Sequence, residues 1–305
     1  MPWLLLITIV YFLLAIVFLI DKHLLTVSVP KPKVYTFYIG ISWIIVLILI
    51  PLPFVHFYIP EIKQIIISLL AGASFIYGIF WFNKSLCQFE ASRVVPAVGA
   101  ISPLLTFLMV YSFSAGKETL VLLDIIAFIL LIFGSLLITF EKGKFINLKS
   151  LKISFISAFL FSLSSVLTKY VYSNQTFWNG FIWTKFGGIF MAISFLIFGK
   201  EVREEVFKKR EILPKKTITL FLSNQSIGAI SNIIQNWVIA IVPLYYVAMV
   251  QALQGMQYAF LLILTILISL KFPNFLKEEI SKGILFQKIV AILLIVAGLA
   301  FIALK

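Results

Sequence analysis

Long apolar stretches alternate with short polar segments along the whole chain. Runs such as Ile44–Ile50 and Ile125–Phe133 are apolar on every face, which favours helices over the alternating strands of a membrane barrel. A lipid core of about 30 Å needs roughly 20 apolar residues for each helical crossing. The pattern therefore predicts an all-α integral membrane protein with ten transmembrane helices, at about residues 3–20, 34–52, 64–83, 95–113, 120–140, 151–172, 178–199, 217–238, 244–270 and 287–304.

The first stretch is expected to remain in the mature protein. It has no basic region before Trp3, and no small-residue cleavage site precedes Asp21, so it does not follow the pattern of a cleaved signal peptide. Asp21 itself closes the first helix, and we expect it to pair with the adjacent Lys22 at the membrane interface. Titration of Asp21 at the inner mouth of the protein is the alternative.

Composition agrees with lipid as the main solvent. The chain is 62% apolar and 12% charged, whereas soluble domains are roughly 45–50% apolar and about 25% charged. One Cys and two His are too few for a disulfide framework or for a zinc site of Cys and His. We expect neither a metal nor a cofactor.

The basic residues are divided unequally between the two sides of the membrane. The connections after the odd-numbered helices hold 20 of the 25 Lys and Arg residues, and such connections face the cytoplasm by the positive-inside rule. Both termini are then predicted outside the cytoplasmic membrane. Charges that face anionic lipid also account for the net charge of +13 without a nucleic-acid partner.

Two pairs of similar segments indicate an internal repeat. Phe12–His23 resembles Phe159–Tyr170, with Phe-Leu at the start and a Lys ten residues after the Phe, and Ala127–Gly134 resembles Ala291–Gly298. A unit of five helices used twice must enter the membrane from opposite faces, because five is odd. The prediction is a pair of inverted repeats, as alternating access requires; chance similarity between Leu- and Ile-rich helices is the alternative.

Short motifs in the first copy resemble a known family. Glu90–Pro96 (EASRVVP), Ile101–Leu105 (ISPLL) and Gly116–Glu118 are similar to the EamA-type repeat of the drug/metabolite transporter superfamily. The resemblance implies one repeat at 1–140, a linker at 141–150 and a second repeat at 151–305. It also implies a central cavity, lined chiefly by predicted helices 1, 3, 4, 6, 8 and 9, for small organic solutes.

Polar side chains at membrane depth are costly and tend to face a cavity or a partner helix. The eighth and ninth predicted helices carry a patch rich in carboxamides, which both donate and accept hydrogen bonds without fixed charge. Interhelical bonds of about 0.6–2 kcal/mol each are the alternative role. The substrate-binding candidates in this patch are Gln225, Asn232, Asn236, Gln251, Gln254 and Tyr258.

Three other helices supply further candidates. Tyr77 and Trp81 could stack on a solute, although such a stripe also suits packing, and Lys185 is the basic residue that looks deepest inside a helix, where it could hold an anion or extend its stem to the interface. Pro96, Gly99 and Pro103 recur along the fourth helix, where they would free backbone carbonyls or form a packing groove. The second copy has Gln254-Gly255 where the first has Ser102-Pro103.

The sequence thus favours a secondary transporter that moves a small polar or zwitterionic organic solute by alternating access. A lipid-handling or scramblase-like protein is the alternative, since carboxamides also suit lipid headgroups. An enzyme is disfavoured, because His23 and His56 fall on opposite sides of the membrane and Cys87 has no His near it in sequence. The expected partners are the solute and membrane lipids, with the chain as a monomer or a weak homodimer.

Overall fold

The computed structural model describes residues 2–25, 31–89, 91–114, 121–139, 148–207, 215–271 and 282–303. Within these ranges the chain forms α-helices and one 3-10 helix, and no strand. The α-helices are α1 Pro2–His23, α2 Pro32–Ser42, α3 Ile62–Gln88, α4 Ala91–Phe113, α5 Leu122–Thr139, α6 Leu148–Asn174, α7 Phe177–Phe198, α8 Lys200–Phe207, α9 Lys215–Ile241, α10 Tyr246–Ala252, α11 Gly255–Lys271 and α12 Lys282–Ala303. The 3-10 helix, Trp43–Leu49, follows α2 directly.

The all-α class predicted from the sequence is confirmed. Each predicted apolar stretch coincides with a helix, except that 34–52 consists of α2 and the 3-10 helix, and 244–270 is divided into α10 and α11. The short polar helix α8 was not predicted. Helix α6 begins at Leu148, inside the predicted linker, whose residues 141–147 lie outside the described ranges.

In the part of the chain that the structure describes, five helical segments are long and apolar enough to cross a membrane. They are Pro2–Asp21, Pro32–Leu49, Ile62–Gln88, Leu148–Asn174 and Phe177–Phe198. Helix α9 is as long as α3, but its many polar residues keep it out of this set. Shorter apolar helices occur at Ala97–Phe113, Leu122–Leu137 and Ile289–Ile302.

Large apolar side chains cover the outside of the helix bundle. Leu5, Phe133 and Leu293 each have more than 60% of their surface exposed. Water would oppose such a surface, whereas lipid is as apolar as the side chains themselves. Together with the long apolar helices, this surface is that of a membrane-embedded protein.

Close helix packing in the bundle depends on glycine. Gly72 of α3 lies against the Thr184 carbonyl of α7, and Gly187 of α7 lies against the Leu69 carbonyl of α3. A Cβ at either glycine would collide with backbone. Small residues let backbones approach and maximise dispersion contacts, which matter most where no hydrophobic effect drives helices together.

Candidate functional site

A buried lysine side chain lies between α7 and α9. Lys185 is 6% exposed, and its Nζ donates a hydrogen bond to Asn232 Oδ1 of α9. The same ammonium lies 3.6 Å from the centre of the Trp43 ring and 4.8 Å from that of Phe181. The lysine therefore points into the bundle, and the alternative in which its stem extends to the interface does not describe this structure.

Asn232 connects the lysine to a longer polar network. Asn236 Nδ2 donates to Asn232 Oδ1 at 3.1 Å, and Tyr172 Oη of α6 donates to Asn236 Oδ1 at 2.8 Å. Three of the residues predicted from the sequence, Lys185, Asn232 and Asn236, thus share one network across α6, α7 and α9. Tyr172 was not among the sequence candidates.

A second lysine, Lys169, is also buried, although it was not among the candidates from the sequence. Lys169 of α6 is 8% exposed, and its Nζ donates to the Ala240 carbonyl near the C-terminal end of α9 at 2.9 Å. A cation at this position complements the last carbonyls and the dipole of the helix. Lys169 therefore has a structural task, unlike Lys185, whose side-chain acceptor is an amide in the middle of a helix.

The ninth predicted helix is broken between α10 and α11. Gln254 N–H bonds to the Gln251 carbonyl at 3.1 Å, three residues back instead of four. This shift releases the Val250 carbonyl, which accepts a hydrogen bond from Tyr11 Oη of α1 at 2.5 Å. Gln251 Nε2 donates to Ser165 Oγ of α6. In membrane proteins, backbone groups freed by a helix break of this kind are bonded again by neighbouring helices, as Tyr11 does here.

Tyr258 of α11 lies against α4. A Cβ added at Gly99 would lie 2.5 Å from Tyr258 Oη, so only glycine admits the ring at this depth. Pro103 cannot donate to the Gly99 carbonyl, because proline has no N–H, yet α4 continues to Phe113. Pro96 also lies on α4, but its side chain is outside the described part of the chain.

The carboxamides of Gln225 and Gln254 are half-buried. Within the described residues, no hydrogen bond is found for either side chain. Between Gln225 and Asn232, Gly228 faces open space, since a Cβ there would have only Val17 of α1 within reach, at 4.0 Å. This face of α9 thus combines the free carboxamide of Gln225 with room beside Gly228.

Tyr77 and Trp81 of α3 belong to an aromatic cluster. The Tyr77 ring stacks on Phe80 with centres 6.0 Å apart, and the Phe80 ring lies 5.4 Å from Phe195 of α7. Lys84 Nζ lies 4.4 Å from the centre of the Trp81 ring. Both candidates are half-buried, and their rings contact protein aromatics in this structure.

A further polar group joins α1, α2 and α9 at the end of α1. Asp21 Oδ1 accepts hydrogen bonds from Asn224 Nδ2 at 2.6 Å and from Tyr35 Oη. The expected pairing of Asp21 involves Lys22, whose side chain lies outside the described part of the chain. Sequence reasoning missed Asn224 and Tyr35. Asn224 precedes Ser231 by seven residues and Gln235 by eleven, which are also the spacings from Gln225 to Asn232 and to Asn236 on the neighbouring stripe.

An apolar groove of about 410 Å³ lies between α3 and α7. Ile66, Leu70, Phe190 and Met191 are among its lining residues. Its walls offer little for hydrogen bonding, so it suits an apolar chain rather than a polar solute.

Comparisons with known proteins bear on the fold alone. No protein-family model matches the chain, and no curated protein matches it. Solved structures do match: one, described as "Crystal structure of protein", aligns with a TM-score of 0.63 over 99% of this chain and 96% of that chain, at 15% identity. The architecture is therefore shared with a solved protein over its whole length.

Proposed function

We propose that this protein is a secondary transporter of the EamA type that moves a small polar or zwitterionic organic solute across the cytoplasmic membrane by alternating access. In this proposal the ten apolar segments all cross the membrane, as two inverted five-helix repeats at 1–140 and 151–305 joined by the linker 141–150, with both termini outside. The observation that carries it is the buried network of Lys185, Asn232, Asn236 and Tyr172.

Reciprocal contacts between α5 and α12 support the repeat. A Cβ at Gly134 would lie 3.0 Å from the Ala291 carbonyl oxygen, and one at Gly298 would lie 3.1 Å from the Ala127 carbonyl oxygen. These four residues are the ends of the two segments aligned from the sequence. Equivalent residues that contact each other reciprocally in an antiparallel pair are what a two-fold axis in the membrane plane produces.

The neighbours of α1 and α6 support the same arrangement. Helix α1 packs against α9 and α11, and α6 packs against α3 and α4. If α6 is the repeat of α1, then α3 and α4 are the repeats of α9 and α11, so each first helix packs against the other half.

One pair of contacts departs from two-fold symmetry. Helices α3 and α7 pack extensively through Gly72 and Gly187, whereas their counterparts α9 and α2 pack less extensively and meet around Phe221, Tyr35 and Tyr38. Alternating access needs two such interfaces in unequal states. The asymmetry is therefore expected for a transporter that is closed on one side.

The Lys185 network supports a polar or zwitterionic solute. In lipid a buried ammonium is expensive and marks a functional site by default. Lys185 bonds to a neutral amide oxygen, which a solute carboxylate could replace with a gain in electrostatic energy. The free carboxamides of Gln225 and Gln254 and the space beside Gly228 could accommodate the rest of the solute.

The test is a thermal-unfolding screen of the purified protein against amino acids, nucleosides, sugars and phosphate esters. A ligand that binds only the folded state raises the apparent stability. We expect at least one carboxylate-bearing solute to raise the melting temperature, and Lys185→Met to abolish that shift.

Lys152→Met is the matched control, since Lys152 is exposed near the start of α6, and it should keep the full shift. The proposal fails if no solute stabilises the protein. Headgroup-dependent lipid transfer by reconstituted vesicles, without solute binding, would favour the lipid-handling alternative.

A further inference from the structure

The carboxylate of Asp21 is in an unusual electrostatic position. It is half-buried in the last turn of α1, where the helix dipole places partial negative charge and disfavours an anion. Its hydrogen-bond partners are a phenol and an amide. In the part of the chain that the structure describes, Asp21 forms no ion pair within 4.0 Å.

Its neighbour Asn224 has an unused acceptor. Asn224 is fully buried, and its Nδ2 is occupied by Asp21. Its Oδ1 has no hydrogen-bond partner. A buried acceptor left without a partner costs about 1–3 kcal/mol, so its retention beside a carboxylate requires an explanation.

The remaining member of the group is Tyr35 of α2, which is 1% exposed. Its hydroxyl donates to Asp21, and the phenolic oxygen retains capacity as an acceptor. The three side chains therefore offer oxygen atoms from a carboxylate, an amide and a phenol, and none of them carries a positive charge. Oxygen-only sets of this kind suit hard cations.

We propose that Asp21, Asn224 and Tyr35 form a binding site for a sodium ion. The single carboxylate balances one positive charge, so a monovalent ion leaves the buried group neutral, whereas a divalent ion would leave an excess charge away from water. A cation would give the free Asn224 oxygen a partner. It would also relieve the conflict between Asp21 and the dipole of α1.

The site goes beyond the transport proposal, because it assigns an ion that the Lys185 network does not involve. Helices α1 and α2 belong to the first predicted repeat, and α9 belongs to the second. An ion held by all three would connect the two halves, so its binding could be coupled to their relative movement. Sodium binding itself does not depend on whether a solute is transported.

The test is thermal unfolding of the purified full-length chain in detergent, with sodium chloride replacing choline chloride at constant ionic strength. Sodium should raise the melting temperature in a saturable way. A melting temperature that is the same in both salts would overturn the site, whatever its dependence on pH. A shift with calcium chloride and none with sodium chloride would also overturn it, since the charge balance would then be wrong.

Substitutions of the proposed ligands test whether the sodium ion binds at this site. Asp21→Asn should raise the sodium concentration that gives half of the shift by at least about tenfold, and Tyr35→Phe, which keeps the ring, should raise it less. Asp124→Asn is the matched control: Asp124 lies in α5 and is bonded by Tyr246 at 3.2 Å, so its loss should leave the sodium response unchanged. An undiminished response in both Asp21→Asn and Tyr35→Phe would place the ion elsewhere and contradict the proposal.

Discussion

Two asparagines on α9 form hydrogen bonds of opposite direction. Asn224 donates from Nδ2 to the carboxylate of Asp21, whereas Asn232 accepts at Oδ1 from the ammonium of Lys185. They are separated by eight residues, or about 12 Å along the helix. A carboxamide has a donor end and an acceptor end. The comparison therefore teaches that asparagine can stabilise either an anion, through Nδ2, or a cation, through Oδ1.

The same substitution at the two asparagines should have unequal effects. Asn224→Asp places a second carboxylate beside Asp21, and like charges about 4 Å apart repel by roughly 4 kcal/mol at an effective dielectric constant near 20. Asn232→Asp gives Lys185 a counter-ion and should cost little or stabilise. Reversible unfolding in detergent with choline chloride measures both. Equal losses of stability would contradict the assignment of a negative partner to Asn224 and a positive partner to Asn232.

Removing each carboxamide should also have unequal effects on the free energy of unfolding. Asn232→Leu takes away the side-chain acceptor of a buried ammonium and should cost about 3 kcal/mol, while Asn224→Leu should cost about 1–2 kcal/mol because Asp21 keeps the Tyr35 hydroxyl. Lys185→Met in the Asn232→Leu background should recover most of the loss. The double-mutant cycle measures this coupling, and additive losses would show that the two side chains act independently.

The smallest expected changes in stability come from the two tyrosines, Tyr35 beside Asp21 and Tyr172 beside Asn236. Tyr35 donates to a carboxylate and Tyr172 donates to an amide oxygen, and hydrogen bonds to charged groups are worth about twice as much. We expect Tyr35→Phe to cost about 2 kcal/mol and Tyr172→Phe about 1 kcal/mol in the free energy of unfolding. A reversed order would indicate that Asp21 is uncharged in the folded protein.

Much of the fold could be predicted because long apolar runs determine helices in lipid almost regardless of their neighbours. The exceptions depend on packing. The 3-10 helix at Trp43–Leu49 has a sequence as apolar as any α-helix here, and the break at Gln254 is accompanied by the hydroxyl of Tyr11, which lies far away in the chain.

The candidate site was predicted in part. Periodicity gave the stripe of Gln225, Asn232 and Asn236, because spacings of four and seven define a helical face. Periodicity within one helix does not determine which face of α7 is turned towards α9. The contact between Lys185 and Asn232 could therefore not be predicted. Asn224 was missed because it lies on the next stripe, and its partner Asp21 looked like an interfacial residue.

The most direct test of the central claim is exchange of solute by the reconstituted protein. Vesicles loaded with an unlabelled solute from the unfolding screen should take up the labelled solute, and uptake should require a solute inside, as expected of a carrier with alternating access. Lys185→Met should lower the rate by about tenfold or more, which corresponds to about 1.4 kcal/mol, while Lys152→Met should match the unmodified protein. Uptake that is indifferent to internal solute and to Lys185 would contradict the account.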